Sequence, residues 1–388
     1  MRNLLNKVLV TDGQNKNTLA VIHSLYNLGY DVDVTTPFSK FFTLCTYSKY
    51  CNQVHAFRSK PNNLSDYGQE LFNLIRKNQY DAIIPVGLNS NIVLSKYKKL
   101  FLKYTKLIIS DWDKMQIASD KYLSTLFVQN LKIPVPESVL IKNKKDIDKI
   151  RKYPVVLKPL HESGGFIRYC NNQNELLFYL KQYNGKELVG QEYVKGFGCG
   201  FYGVYLEGEL LATYMHKRLK EFPLTGGPSV IAESFYNKKL YNYGHKIAKK
   251  LCWSGPIMVE FKYDEENDDF KLIEINPKLW GSLDLTIKSG VDVPQILMKL
   301  IKKEPINKNL NYNYVRYRWL FPDEFKTILY NPSLNNIYHY LFDKKSNTNI
   351  SSDFLPLFFQ MIQGTYENIY LISKKKSLFP HGVIINTI

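Results

Sequence analysis

The first 115 residues alternate between short apolar runs and stretches with helical spacing. Four runs predict buried strands that end in polar residues, "KVLVTDG", "YDVDVTT", "YDAIIPV" and "TKLIISD". Between them, "NTLAVIHSLYNLG" and "SNIVLSKYKKLF" carry apolar residues at helical spacing, and the first ends in a glycine, a usual C-terminal signal. Strands that alternate with helices predict a small α/β layer with a parallel sheet over residues 1–115.

From residue 116 the pattern changes to longer strands joined in pairs. "SDKYLSTLFVQNL" predicts an amphipathic helix capped by Ser119, and the prolines of "IPVPES" keep the next segment extended. Hairpins are predicted in "YPVVLKPLHESGGFIRYC", "GFYGVYLEGELLATYMHKRL" and "PIMVEFKYDEENDDFKLIEINP". A further strand in "ELVGQEYVKG" and a helix in "KKLYNYGHKIAKKLCW" complete an α+β domain built on antiparallel hairpins over residues 116–303.

Residues 304–388 form a C-terminal extension whose fold the pattern does not define. The segment is rich in Tyr, Asn and Phe, and "RYRWLFPDEF" and "SSDFLPLFFQMIQG" are partly helical in pattern. Its longest apolar stretch, "FLPLFFQMIQG", is about half of the roughly 20 residues that a bilayer span needs. We therefore expect no stable membrane insertion.

Composition narrows the function classes. The chain of 388 residues is long enough for two or three cores, and its formal charge of +17 is spread along the sequence without a basic block. A nucleic-acid footprint is usually clustered, so we expect no nucleic-acid partner. Five widely spaced cysteines form no CxxC pair, and the first residues have too short an apolar run for a signal peptide, so a reducing cytoplasm is the expected location.

Polar side chains at the end of the last hairpin give the clearest candidate chemistry. Glu274 and Asn276 lie two residues apart on one strand and therefore project from the same face. Between them Ile275 points toward the core, and Pro277 ends the strand. The partner strand offers Glu260, a carboxylate that is costly to bury without a cation or donor. Three oxygen ligands on adjacent strands suit Mg²⁺ bound to phosphate, and the plain alternative is two exposed carboxylates and a turn asparagine.

Upstream lysine, glycine and arginine residues fit a phosphate site. Lys158 ends the apolar strand "VVLKP", where it is either a phosphate-binding cation or an edge lysine. Gly164 and Gly165 would let backbone N–H groups approach phosphate, although most such pairs are simply turns. Lys217 and Arg218 end the strand "HKRL", where a cation would stabilise charge on a transferring phosphoryl group. The alternative for this pair is a solvated basic strand end. The sequence lacks GxGxxG and GxxxxGK[ST], so neither dinucleotide nor P-loop binding is predicted.

The order of these motifs resembles the ATP-grasp superfamily, which includes carbamoyl phosphate synthetase, biotin carboxylase and D-alanine–D-alanine ligase. The matching pieces are "SDKYLS", "VVLKP", "GQEYVKG", "HKRLKEFPLTGGPS", "MVEF" and "IEINPKLWGS". The resemblance covers about residues 115–303, and the layer before it matches the usual pre-ATP-grasp domain. The last pieces look most like carbamoyl-phosphate-synthetase-like carboxylate–amine ligases.

The resemblance implies how ATP is bound. Lys121 and Lys158 match two ATP-binding lysines. The segment that would form the adenine hinge is Gln191, Glu192, Tyr193 and Val194. Family members often carry an acid after the hinge that holds the ribose hydroxyls, but "KGFGCGF" has none, so the ribose contacts stay open.

The resemblance also implies the metal and phosphate ligands. Glu260 and Glu274 match metal-bridging acids, and Asn276 matches the amide ligand. Arg218 matches the basic residue that faces the phosphates, and residues 225–229, "TGGPS", match a mobile loop at the acyl-phosphate end. Family members commonly carry Arg after "NP", where this chain has Lys278, which keeps the charge but loses bidentate geometry.

The implied activity is ligation of a small-molecule carboxylate to an amine through an acyl phosphate, with ATP and Mg²⁺, or Mn²⁺ as an alternative ion. Dimers are common in the resembling family, so a homodimer is an open expectation. Two other classes stay open: an ATP-dependent phosphotransferase, and a non-catalytic nucleotide-binding protein of a cell-surface polymer pathway. A further hypothesis is that Arg316, Arg318 and Trp319 roof the acceptor site, the alternative being a packed extension.

Overall fold

The structure of the chain is a computed structural model. It describes residues 6–59, 63–161, 167–183, 187–222, 227–308, 311–330, 332–343, 345–349 and 353–373. The N-terminal elements are β1 (Lys7–Val10), α1 (Lys16–Asn27), β2 (Asp31–Thr36), β3 (Gln53–Ala56), α2 (Leu64–Asn78), β4 (Ala82–Ile84), α3 (Leu88–Lys96), α4 (Lys98–Phe101) and α5 (Trp112–Ser119). The four strands form a parallel sheet in the order β3-β2-β1-β4, which confirms the α/β layer.

One predicted strand of this layer is wrong. In "TKLIISD" only Lys106 forms a bridge, beside Ala82, and the chain then leaves the sheet. The segment instead forms hydrogen bonds with the chain just before β12, because the Ser110 hydroxyl donates to the Ser254 carbonyl and accepts from the Ser254 N–H. The fourth strand is β3 instead, whose four residues carry too little apolar pattern to be recognised.

The middle of the chain begins with a helix and a small sheet. Its elements are α6 (Lys121–Asn130), β5 (Ser138–Ile141), β6 (Val155–Pro159), β7 (Arg168–Cys170), α7 (Gln173–Gln182) and β8 (Leu188–Glu192). The sheet is antiparallel in the order β5-β8-β6-β7, with the predicted β6–β7 hairpin. The cap of α6 is Asp120, not Ser119, because the Asp120 carboxylate accepts from the N–H groups of Tyr122 and Leu123 at 2.8 Å each.

The largest sheet carries the long hairpins. Its region contains β9 (Gly198–Leu206), β10 (Glu209–Glu221), β11 (Ser229–Ser234), α8 (Lys238–Lys250), β12 (Gly255–Asp264), β13 (Asp269–Asn276), α9 (Leu283–Lys288) and α10 (Val293–Lys302). The predicted β9–β10 and β12–β13 hairpins and the helix α8 are confirmed. Phe201, Phe261 and Ile275 are fully buried under this sheet and fix its inner face.

The C-terminal segment extends this sheet. It contains β14 (Arg316–Arg318), a π-helical turn over Leu320–Glu324, α11 (Phe325–Tyr330), α12 (Leu334–Phe342), β15 (Asn347–Thr348) and α13 (Phe354–Ser373). Strand β14 pairs with β11, so the sheet runs β13-β12-β9-β10-β11-β14-β15. The division at residues 115 and 303 stays a prediction. Among the residues that the structure describes, no helix is both long and apolar enough to cross a membrane.

Candidate active site

Two carboxylates face each other across the β12–β13 hairpin. Glu260 and Glu274 are directly opposed in the strand register, and Met258 is opposed to Asn276. Glu274 and Asn276 share a face, as their spacing predicts, because Ile275 between them is buried in the core. Strand β13 ends at Asn276, before the proline. The hairpin therefore places two carboxyl groups and an amide at one place in the sheet.

Cations from two other elements form ion pairs with these carboxylates. The Arg218 guanidinium on β10 lies 2.7 Å from Glu260 and 2.9 Å from Glu221. The Lys121 ammonium, at the start of α6, lies 3.6 Å from Glu274. The side-chain amide of Asn276 donates to Glu274 at 2.7 Å. The amide oxygen of Asn276 takes no part in this bond and can coordinate a cation.

The two carboxyl groups have different proton affinities. Burial raises the pKa of Glu260, an effect that the Arg218 charge only partly offsets. Burial also acts on Glu274, but Lys121, Lys158 and the Asn276 amide outweigh it and lower the pKa of Glu274. Neighbouring carboxyl groups repel each other when both are ionised, so the pair titrates as a unit. A divalent cation between them would favour the doubly ionised form.

Lys158 is a buried cation at the end of β6. It is 6% exposed, which is rare for lysine. Burial lowers its pKa to about 8, with the Lys121 charge acting in the same direction and Glu274 in the opposite one. An anionic ligand beside Lys158 would stabilise its protonated form and raise its pKa again. The position therefore favours phosphate binding over the edge-lysine alternative.

The predicted hinge lies along the same opening. Residues 191–194 leave β8 and pass β12, where the Lys262 ammonium donates to the Val194 carbonyl at 2.9 Å. The same ammonium lies 4.8 Å from the centre of the Tyr193 ring. Sequence reasoning missed Lys262, although it lies two residues after Glu260 and therefore on the same strand face. That spacing was the available signal.

A single cavity of about 1720 Å³ connects these groups. The predicted site residues that line it are Lys121, Lys158, Gln191, Glu192, Tyr193, Val194, Arg218, Glu260, Glu274 and Asn276. Its other wall comes from the N-terminal layer and the C-terminal segment, through Asp12, Gln14, Lys16, Trp319, Asp323 and Gln363. We call the part of the cavity lined by Glu260 and Glu274 the phosphate end, and the part lined by Asp12 and Asp323 the far end.

The structure does not bring every predicted residue into this cavity. Lys217 is on the opposite face of β10 from Arg218 and forms an ion pair of 3.0 Å with Glu233. Because alternate strand residues face opposite sides, Arg218 lines the cavity and Lys217 does not, and the structure does not support a catalytic role for Lys217. Gly164 and Gly165 lie outside the described residues, as do the first two residues of "TGGPS".

Of the three residues in the hypothesis of a C-terminal roof, one lies at the cavity. Trp319 lines the cavity. Arg318 is buried instead against Glu324, at 2.8 and 2.9 Å, and anchors the segment. Arg316 is half-exposed and pairs with Glu233 at 3.5 Å.

His216 lines the cavity but is not suited to act as a general acid or base. Its Nε2 lies 2.6 Å from the Tyr202 hydroxyl and 2.7 Å from the Ser282 hydroxyl. Complete burial, with the nearby Arg218 charge, lowers its pKa to about 3, so the ring is neutral at physiological pH.

The donor set fits a hard divalent cation. No group of three or more His, Cys, Asp and Glu suited to a metal occurs among the residues that the structure describes. The candidate set is mixed, with two opposed carboxylates and one amide oxygen, and like charges directly opposite in a sheet are destabilising. Mg²⁺ and Ca²⁺ prefer oxygen ligands of this kind, and Mg²⁺ commonly takes one or two carboxylates plus substrate phosphates.

Sequence comparisons give one family model and a curated relative. The family model described as "ATP-grasp in the biosynthetic pathway with Ter operon" matches residues 206–320. The carbamoyl phosphate synthase large chain of Thermoanaerobacter sp. (strain X514) is 24% identical over 249 residues, covering 58% of this chain. The chain spans 23% of the length of that relative.

Solved structures share the architecture over most of the chain. The biotin carboxylase domain dimer of Hydrogenobacter thermophilus 2-oxoglutarate carboxylase, in complex with MgADP, ADP and bicarbonate, aligns with a TM-score of 0.67 at 19% identity. The alignment covers 81% of this chain and 74% of that one. N5-carboxyaminoimidazole synthetase from Staphylococcus aureus aligns with a TM-score of 0.62 at 16% identity, covering 80% and 81%. The fold class predicted from the sequence is confirmed.

Proposed function

We propose that this chain, which is similar to ATP-grasp proteins in sequence and fold, is an ATP- and Mg²⁺-dependent ligase that joins a carboxylate to an amine through an acyl phosphate. The products of each turnover would be the amide, ADP and phosphate. The observation that carries the proposal is the opposed pair Glu260 and Glu274, with Asn276 beside them and buried cations around them, at one end of a large cavity.

In this proposal the nucleotide lies between the small sheet and the large one. Adenine would contact the hinge at residues 191–194, and Lys121 and Lys158 would contact the phosphates. Lys158 supports this placement, because a buried cation with a lowered pKa gains most from an anionic partner. The Hydrogenobacter domain of the same fold is described in complex with MgADP.

Glu260, Glu274 and Asn276 would hold the divalent ion. Bound there, Mg²⁺ would neutralise charge on the phosphate oxygens during phosphoryl transfer, and Mn²⁺ is an alternative ion. Lys121 and Arg218 now lie against these carboxylates. In the proposal they are shared between the carboxylates and the phosphates, so the charges of the site remain balanced.

Two group transfers follow from this arrangement. A substrate carboxylate oxygen attacks the γ-phosphorus of ATP, and the bond from that phosphorus to the bridging oxygen breaks, giving an acyl phosphate and ADP. An amine nitrogen then attacks the acyl carbon, loses a proton and expels phosphate. Arg218 would stabilise the transferring phosphoryl group. Lys278, which lines the cavity just beyond Asn276, would contact the substrate carboxylate.

The size of the cavity favours a ligase over a phosphotransferase. Pockets for one small ligand typically enclose about 300–1,000 Å³. The cavity of about 1720 Å³ exceeds that range and continues past the phosphate end to polar residues of two other segments. A nucleotide at one end leaves room for an acid and an amine at the other.

A phosphate-release screen tests the proposal. A panel of carboxylic acids is crossed with a panel of amines, with Mg·ATP present, and joined products are identified by mass spectrometry. A ligase is expected to release most phosphate when acid and amine are both present and to yield a product whose mass is their sum less water. Phosphate transfer to a single substrate would point to the phosphotransferase, and ATP binding without turnover would point to the non-catalytic alternative.

The proposal extends to assembly and cellular location. The Hydrogenobacter domain is described as a dimer, and we propose a homodimer here, which light scattering on the full chain would test. All five cysteines have free thiols, in keeping with a reducing compartment such as the cytoplasm.

A further inference from the structure

A surface that is both basic and apolar lies where α3 ends. Residues 96–106, "KYKKLFLKYTK", contain five lysines in eleven positions and no acidic residue. Lys and Arg together make up 52 of the 388 residues of the chain, so this segment is much richer in positive charge than the average. We call residues 96–106, together with Arg76 of α2, the basic surface.

The fold holds the basic surface in a defined shape. Phe101 anchors the segment in the core, and its ring lies 6.0 Å from the Phe72 ring of α2. The Phe101 N–H donates to the Tyr97 carbonyl at 3.2 Å, and the Tyr104 N–H donates to the Phe101 carbonyl at 2.9 Å. The Arg76 guanidinium lies 5.7 Å from the centre of the Tyr104 ring, so α2 adds its charge to the same surface.

Most cations of the basic surface have no carboxylate partner. Lys98 is paired, because its ammonium lies 2.7 Å from Asp111. The other five form no ion pair with any carboxylate in the part of the chain that the structure describes: Lys96, Lys99, Lys103, Lys106 and Arg76. Exposed positive charge that the protein does not neutralise attracts an anionic partner.

Apolar side chains lie between these cations. Tyr97, Leu100, Leu102 and Tyr104 are each between 39% and 47% exposed. A single exposed apolar residue is ordinary, but these four occur within eight positions and alternate with lysines. Phe101 in the same segment is 1% exposed, so the fold buries one apolar side chain here and leaves four outside. The surface therefore offers apolar contact as well as charge.

An anionic lipid surface matches this combination better than a nucleic acid does. At a bilayer surface, leucine side chains and lysine stems enter the apolar boundary, while the ammonium groups and tyrosine rings stay at the level of the head groups. Nucleic-acid surfaces without sequence preference instead combine cations with aromatic rings that stack on bases. Leu100 and Leu102 cannot stack in that way.

We propose that the basic surface docks the protein on a membrane surface that contains anionic lipids, with no segment crossing the bilayer. The docked protein keeps its cavity open. Helix α3 begins at the cavity, which Leu88 and Asn89 line, and Lys96 ends the helix about 12 Å farther along its axis. None of residues 96–106 lines the cavity. The proposal does not depend on the ligase reaction.

Sedimentation of the full chain with lipid vesicles tests the proposal. Vesicles of phosphatidylcholine alone are compared with vesicles that contain about one-third phosphatidylglycerol. Wild type is expected to bind the anionic vesicles at least about 100-fold more tightly, because each cation near an anionic surface contributes about five-fold. Salt at about 0.5 M is expected to remove most of this difference, because it screens the charges.

Charge variants locate the binding surface. The triple variant Lys96→Gln, Lys99→Gln and Lys103→Gln is expected to bind anionic vesicles about 100-fold more weakly than wild type. The matched control removes three exposed lysines of another region, through Lys144→Gln, Lys145→Gln and Lys181→Gln, and is expected to change binding less than about five-fold. If the melting temperature shows that the first triple variant does not fold, Lys99→Glu replaces it and is expected to weaken binding by about ten-fold or more.

An apolar variant separates a lipid surface from other anionic partners. Leu100→Ser with Leu102→Ser is expected to weaken binding to anionic vesicles by about ten-fold or more, because the two side chains no longer enter the apolar boundary. The dependence of binding on salt should stay, because every cation remains.

Three results would overturn the proposal. The first is equal binding of wild type to both kinds of vesicle, and the second is an equal loss of binding in the two triple variants. The third is unchanged binding in the leucine variant. Fluorescence anisotropy with a short DNA duplex, at the same salt concentration, is measured in parallel. Tighter binding to the duplex than to the anionic vesicles would assign the surface to a nucleic acid instead.

Discussion

The two ends of the cavity are built in different ways. At the phosphate end, Glu260, Glu274 and Asn276 come from one hairpin and are placed by strand register. At the far end, Asp12 and Asp323 are separated by most of the chain and both line the cavity, and Asp323 follows β14, which joins the large sheet beside β11. The proposed metal ligands therefore lie on one local element, whereas the other lining of the cavity comes from segments far apart in the sequence.

This difference gives the two ends separate sensitivities. A change at the phosphate end should affect the reaction with every substrate, because every turnover of the proposed reaction passes through phosphoryl transfer. A change at the far end should affect only the packing of the C-terminal segment or the substrates that contact it. The following predictions test that separation, from the largest expected effect to the smallest.

Glu274→Gln is expected to lower ATP turnover by about three orders of magnitude or more, because it removes a carboxylate from the proposed metal site. Phosphate release measures the effect, and circular dichroism checks the fold. Glu266→Gln is the matched control, since Glu266 lies exposed at the tip of the same hairpin. If Glu274→Gln kept the turnover of wild type, the Glu274 carboxylate would not be needed for catalysis and the proposed metal site would be wrong.

Glu324→Ala is expected to lower the free energy of unfolding by about 3 kcal/mol, because the buried Arg318 guanidinium keeps only the more distant Asp343 carboxylate, at 3.7 Å, as a charged partner. Urea denaturation measures the loss, with Glu266→Ala as the control. At temperatures where the variant remains folded, its affinity for Mg·ATP should stay within about two-fold of wild type. A loss of nucleotide affinity as large as the loss of stability would contradict the separation of the two ends.

Arg218→Lys is expected to lower kcat by about 10–100-fold, because an ammonium lacks the planar fork of donors with which the guanidinium spans Glu221, Glu260 and a phosphate. Lys217→Met is the control and should change kcat less than about two-fold, since Lys217 lies on the other face of β10. Steady-state kinetics with the best acid and amine pair measure both. The reverse order of effects would reinstate Lys217 as the catalytic cation.

The affinity for Mg·ADP is expected to fall as the pH rises through about 8. Lys158 is charged below its lowered pKa of about 8 and neutral above it. The phosphates therefore lose a charged partner above this pH, and the affinity falls by up to about ten-fold per pH unit. Lys158→Arg should flatten this dependence, because arginine keeps its charge. Calorimetric titrations between pH 7 and 10 measure both slopes. An equal slope in the variant would assign the effect to other lysines.

The hairpins and the phosphate end could be predicted because their signals are local. Period-two alternation placed Glu274 and Asn276 on one face, and the apolar neighbours of Glu260 and Lys158 marked both as unusual. The same alternation separates Lys217 from Arg218, and it also places Lys262 beside Glu260, although neither consequence was drawn from the sequence.

The far end could not be predicted because its signals are tertiary. Asp12 looks like an ordinary turn residue in "VTDG", and its hydrogen bonds with Gly87 and Ser90 join residues that are 75 and 78 positions apart in the sequence. Strand β14 has only three residues, too few for a distinctive alternation, so its pairing with β11 has no local signal in the sequence.

Binding of ADP with and without Mg²⁺ tests the central claim most directly. Isothermal titration would compare wild type with the double variant Glu260→Gln and Glu274→Gln, in Mg²⁺ and in EDTA. The account predicts that Mg²⁺ tightens ADP binding to wild type by about ten-fold or more and leaves the variant unchanged. An equal Mg²⁺ effect in the folded double variant would show that these carboxylates do not hold the ion.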